Sequence, residues 1–147
     1  ALIDTTAAPD AREATAKRHE RIAAAREGRF LSVAEEMFPG LVLPAHAHDP
    51  GLKHRYMLMA EETGAEAFAQ QQTAILTRPD SRPTLASIAV KTLVMVGKED
   101  VLTPPEAAKA MADGIKGARL VEIADCGHLS TMERPHAATV AMGEWLA

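Results

Sequence analysis

Two short hydrophobic runs punctuate the C-terminal part of the chain, Thr92-Leu93-Val94-Met95-Val96 and Arg119-Leu120-Val121-Glu122-Ile123. The first is apolar throughout, the pattern of a strand buried on both faces of a parallel sheet. The second, from Ala118 to Ile123, predicts another strand. Between them Thr103-Pro104-Pro105-Glu106 opens a helix. Thr103 can cap it, Pro104 fits the first helical position, and Glu106 completes a capping box. Ala107, Met111 and Ile115 then share a face until Gly117 ends the helix. Strands joined through a helix run parallel, and these two are expected side by side with a right-handed crossover. A last helix follows Pro135, with Ala138, Ala141, Met142 and Trp145 facing inward.

Upstream the periodicity changes. Ala1-Leu2-Ile3-Asp4-Thr5-Thr6 reads as a very short apolar strand, and residues 10–77 read as helices with no strand pattern among them. Arg12 to Arg26 carries Ala14, Ile22 and Ala25 among charges and stops at Glu27-Gly28. Phe30 to Phe38 is closed by Pro39-Gly40. Asp49 is placed to cap a third helix with Pro50 at its first position, and Leu52, Tyr56, Met59 and Ala60 recur at helical spacing. Thr63-Gly64 breaks that helix, and Ala65 to Leu76 forms a fourth. Arg78-Pro79-Asp80-Ser81-Arg82-Pro83 has the composition of a linker. The expected organisation is α/β: a core strand in residues 1–9, a helical segment and linker in 10–83, and a strand-helix-strand-helix core in 84–147.

Composition narrows the function classes. The 147 residues suffice for a small domain with a real core, built from aliphatic residues and seven Met because only one Trp, one Tyr and three Phe are present. A net charge of -4 with mixed signs gives no basic stripe for nucleic acid. Ala16-Lys17-Arg18-His19-Glu20-Arg21 interleaves both signs and is expected to be a solvated helix face. One cysteine excludes an internal disulfide and suits a reducing, cytoplasmic setting. No apolar stretch approaches the ~18–20 residues of a membrane span, and no signal peptide is visible. The chain opens without Met inside a strand-like run, so an upstream segment is expected.

The candidate chemistry lies just past the two strands. Asp100 follows Val96 in Gly97-Lys98-Glu99-Asp100, and His128 follows Ile123 in Asp125-Cys126-Gly127-His128. Parallel strands bring both loops to the carboxyl edge of the sheet, where open α/β sheets place their chemistry. There a carboxylate can accept the Nδ1 hydrogen of the imidazole, leaving Nε2 to take a proton from a nucleophile. Gly127 allows a sharp turn and a close backbone approach. Glu99 competes with Asp100 as the acid, and Asp4, past the first strand, is the reserve. Asp125 is expected to bond its own loop. Cys126 is too near His128 in the same tight turn to serve as its nucleophile and is expected to be a buried thiol. His46, His48, Asp49 and His54 form a His-rich patch that could bind Zn²⁺ but lacks a firm fourth ligand, so a surface patch is expected and no metal site is assigned. Met57, Leu58 and Met59 could line an acyl pocket, although ordinary packing explains them equally well.

These motifs resemble the C-terminal half of an α/β-hydrolase, of the kind that includes ester hydrolases and enol-lactonases. Its strand followed by Gly-x-x-Asp-x-x-x-Pro is matched by Gly97, Asp100 and Pro104. Its Gly-His-x-x-x-x-x-x-Pro is matched by Gly127, His128 and Pro135. The resemblance implies that Asp100 is the triad acid and His128 the base, that Leu2 to Thr6 is the sixth strand of the fold, and that residues 10–77 are a helical cap inserted after it. It implies no metal or organic cofactor.

The match is partial. The family's nucleophile lies in G-x-S-x-G before the sixth strand, and none of Ser32, Ser81, Ser87 or Ser130 has glycines at that spacing. The oxyanion-hole segment would also lie upstream, and Lys91 stands where the family usually has Pro. The expectation is therefore a hydrolase of carboxylic esters or lactones whose nucleophile is missing from these residues, with the 147-residue chain inactive alone. Carbon–carbon, epoxide or haloalkane chemistry remains open, the nucleophile then being Asp for the last two. The rival is an inert half-domain that self-associates. The chain's expected partners are a small ester or lactone, and either the missing N-terminal half or another copy through the exposed strand edge.

Overall fold

The computed structural model describes residues 1–147. Along the chain the elements are β1 (Leu2–Ile3), α1 (Arg12–Ala24), α2 (Phe30–Leu41), α3 (Pro50–Thr77), β2 (Leu93–Gly97), α4 (Pro105–Gly114), β3 (Arg119–Ile123), α5 (Ser130–Glu133) and α6 (Pro135–Leu146). They form two units, one of residues 1–7, 39–47 and 81–147, the other of residues 8–38 and 48–80. No helix is long and apolar enough to cross a membrane.

The first unit is built on a parallel sheet in the order β1-β2-β3, with Leu2 opposite Val94, and Leu93 to Gly97 opposite Arg119 to Ile123. Three parallel strands, with the helices α1 to α3 inserted after the first, agree with the sequence reading. The central strand is apolar at every position because both faces are covered. Val94 and Val96 pack with Ala108, Met111 and Ile115 on one face. Leu93 and Met95 pack with Ala138, Ala141 and Cys126 on the other. Each of the four strand side chains is fully buried, which contributes about 1.5–3 kcal/mol apiece. Alternation is visible in β3, where Leu120 joins the first cluster and Val121 and Ile123 the second.

Two details of this unit differ from the sequence pattern. The crossover helix begins at Pro105 with Pro104 flanking it, one residue later than expected, and Ala108 rather than Ala107 is buried. Thr103 makes no cap there because its hydroxyl is engaged elsewhere, as described below. A single turn of helix, α5, also precedes the last helix, and it is too short for periodicity to signal.

The second unit is entirely helical. Ala24, Ala25, Phe30, Val33, Ala34 and Phe68 form its core, with the Phe30 and Phe68 rings 5.0 Å apart. Its helices break where glycine was expected to break them: Gly28 (φ 83°) and Gly64 (φ 74°) hold backbone conformations that other residues rarely adopt. Asp49 caps α3 by accepting from the Gly51 and Leu52 amides at 2.8 and 3.0 Å. Arg18 departs from its expected solvated role. Its guanidinium pairs with Asp10 and donates to Gln72 Oε1 at 2.7 Å, and its side chain is only 22% exposed. The α2 helix likewise runs through Pro39-Gly40 to Leu41.

Candidate active site

Gly97 and Ile123 are paired at the ends of β2 and β3, so two loops leave the same edge side by side. Backbone bonds join them: Lys98 N–H donates to Ile123 O at 2.8 Å and Glu99 N–H to Cys126 O at 3.0 Å. The Glu99 carboxylate closes the junction by accepting from the Cys126 amide at 2.9 Å. The loops touch so closely that a Cβ on Gly97 would lie 2.1 Å from the Gly127 carbonyl oxygen. Glu99 thus ties the loops together, and Asp100 faces the histidine.

Asp100 is 2% exposed and uses both carboxylate oxygens. Oδ1 accepts from the Leu102 and Thr103 amides at 2.8 and 3.0 Å, which turns the loop back on itself. Oδ2 accepts from the Thr103 hydroxyl and from His128 Nδ1, each at 2.8 Å. Burial pushes this carboxyl up, but the hydrogen bonds from His128 and Thr103 and the attraction of the imidazole outweigh it, and the group is held below its ordinary value of 3.8. An ionised carboxylate has no proton to give, so Nδ1 carries the hydrogen of this bond. The His128 side chain is 23% exposed while that of Asp100 is fully enclosed. The pair has an imidazole of fixed tautomer, oriented by a buried anion.

Asp4 lies at the same edge with other partners. It accepts from the Gly97 amide at 3.3 Å, and from the amide and hydroxyl of the buried Ser130 at 3.1 and 2.6 Å. Burial raises its carboxyl above the ordinary 3.8, against the Ser130 bonds and the nearby imidazole. The Ser130 hydroxyl is thus committed to Asp4. Cys126 is fully buried, and its thiol is pushed up to about 12 by burial and by the carboxylates of Glu133, Asp4 and Glu99. It is held as a neutral thiol. Asp125 is exposed and adopts φ 52°.

The His-rich patch is not one cluster. His46 Nδ1 bonds Glu133 Oε2 at 2.8 Å, and no group of three or more His, Cys, Asp or Glu side chains could hold a metal ion. Met57 packs against the helical core, whereas Leu58 and Met59 are largely exposed. Met59 also borders a pocket of about 130 Å³ with Phe30, Tyr56 and Phe68. A larger open groove of about 770 Å³ runs beside Asp100, walled by Leu43, Pro44, Ala45, Lys98, Glu99, Val101, Pro104 and Pro105.

Glu133 escaped sequence reasoning. It is buried and accepts from three donors, two of them backbone amides. A single Glu ahead of a proline carries no spacing signal for such a role.

The sequence profile of the alpha/beta hydrolase family matches residues 1–142. The chain belongs to the alpha/beta hydrolase family. Among solved structures of this fold, a thermophilic esterase from Thermogutta terrifontis is 36% identical with a TM-score of 0.89, over 99% of this chain and 54% of that one. The enol-lactonase from Burkholderia xenovorans LB400 is 27% identical with a TM-score of 0.84, over 98% of this chain and 54% of that one. A curated relative, the 2-hydroxy-6-oxononadienedioate/2-hydroxy-6-oxononatrienedioate hydrolase of Escherichia coli, is 37% identical over 59 residues, covering 40% of this chain and 20% of that protein. This alpha/beta hydrolase chain therefore spans about half the length of the two solved structures.

Proposed function

We propose that this chain carries the acid and base of a Ser-His-Asp triad that hydrolyses carboxylic esters or lactones, with the serine supplied from sequence outside these 147 residues. The observation that carries the reading is the 2.8 Å contact between His128 Nδ1 and a buried Asp100 whose other oxygen is already saturated by backbone amides. The similarity to an esterase and an enol-lactonase supports the choice of bond.

In this mechanism His128 Nε2 takes the proton of the serine hydroxyl as the oxygen attacks the carbonyl carbon. The resulting imidazolium is stabilised by Asp100, which stays ionised. His128 then returns the proton to the departing alkoxide, leaving an acyl-serine. Water, deprotonated by the same nitrogen, attacks that acyl group; the acyl–oxygen bond to serine then breaks, His128 returns the proton to the serine oxygen, and the carboxylic acid leaves. Asp100 acts through His128 by fixing its tautomer and orientation. Alone, the 147 residues lack the nucleophile and are inert.

The test is hydrolysis of a short p-nitrophenyl ester and of an aliphatic lactone by the whole protein that carries this sequence. His128→Gln is expected to lower kcat by about 10³-fold or more. Full activity in that variant would overturn the assignment.

A further inference from the structure

Glu133 is a buried carboxylate whose partners all lie around the histidine loop. Its Oε1 accepts from the Gly127 amide at 2.9 Å. Its Oε2 accepts from the Leu43 amide and from His46 Nδ1, both at 2.8 Å. An enclosed carboxylate is tolerated only where such donors replace water. Here one donor sits immediately before His128, and the other two belong to the segment that leaves α2.

Two further observations show what this carboxylate clamps. Leu41 ends α2, where helix carbonyls lack an internal partner, and its oxygen accepts from the His128 amide at 3.0 Å. Gly127 lies so close to that segment that a Cβ would fall 2.6 Å from Leu43 N and Val42 C. The backbone of Gly127 and His128 is therefore pressed along residues 41–43, and Glu133 bonds both sides of the contact.

We propose that Glu133, completed by His46, is a positioning residue for His128: it locks the histidine loop onto residues 41–46 and so sets the imidazole against Asp100. This rests on the reading of Asp100 and His128 as the acid–base pair. It gives the link between α2 and α3 a part in the active site. Loosening the clamp removes no group that touches substrate, but it lets the base wander. Misplacement of a catalytic group by about 1 Å can cost roughly 100-fold in rate.

The test uses the whole protein with Glu133→Gln, which keeps the volume but sets an amide NH₂ against either the Gly127 amide or the Leu43 and His46 donors. Three readouts are taken: the low-field proton resonance of the His128 Nδ1–H in its bond to Asp100, the split of kcat from KM on an ester, and Tm. The expected result is a shifted or broadened resonance and a kcat lowered about 10- to 100-fold, with KM within about twofold. An unchanged resonance and kcat beside a lower Tm would make Glu133 merely structural and overturn the proposal. If Glu133→Gln does not fold, His46→Ala decides, because it removes one donor and leaves both backbone bonds. A shifted resonance with a kcat lowered about threefold supports the clamp, and no change in either overturns it. The resonance reports position whether or not the protein cleaves esters. Failure of the triad reading shows separately, as full activity in His128→Gln.

Discussion

Asp100 and Asp4 are carboxylates at one sheet edge, and their surroundings drive them in opposite directions. Asp100 is held below the ordinary 3.8 because His128 and Thr103 favour its anion over the cost of burial. Its contribution to stability is complete above that value and is lost as pH falls through the lower value it has in the fold. Asp4 is raised, so its contribution declines as pH climbs from 3.8 through its folded value. Asp100→Asn is therefore expected to be less stable than the parent at pH 7, with the gap closing below pH 3.8. Urea denaturation across a pH series checks this, and a gap independent of pH would show that the charge contributes nothing. Sequence made Asp100 and His128 visible because each sits a fixed distance beyond an apolar run. Thr103 was misread as a helix cap, since local spacing cannot show that its hydroxyl turns to Asp100. Glu133 was invisible because two of its partners, Leu43 and His46, are 90 and 87 residues away.

Elements were legible where burial imposes one period. The β2 run is apolar at every position because the helices cover both of its faces, and the breaks at Gly28 and Gly64 follow from their positive φ. The end of α2 was not legible. Pro39-Gly40 ordinarily closes a helix, but this one continues to Leu41, where Leu41 and Val42 are buried and the last carbonyl meets the His128 amide. The tight junction at the strand ends makes a steric prediction. Gly97→Ala would set a methyl against the backbone of Cys126 and Gly127, and backbone cannot swing aside as a flexible side chain can. A loss of about 1–3 kcal/mol or more is expected, measured by thermal or urea unfolding. An unchanged Tm would mean that the two loops are not held as described.

At the scale of the whole molecule, α/β class and family membership were readable from the order of strand, acid, strand and histidine, and the profile match over residues 1–142 agrees. The chain spans 54% of the esterase and enol-lactonase structures, so the whole of their fold is not read from these residues. The central claim is that Asp100 and His128 activate a serine from outside these residues. Its most direct test is the intact mass of the whole protein before and after a fluorophosphonate probe, repeated with His128→Gln. One adduct is expected on a serine outside this sequence, formed about 100-fold or more slowly in the variant. No adduct, or one formed at the same rate without His128, would contradict the central claim and favour an inert module.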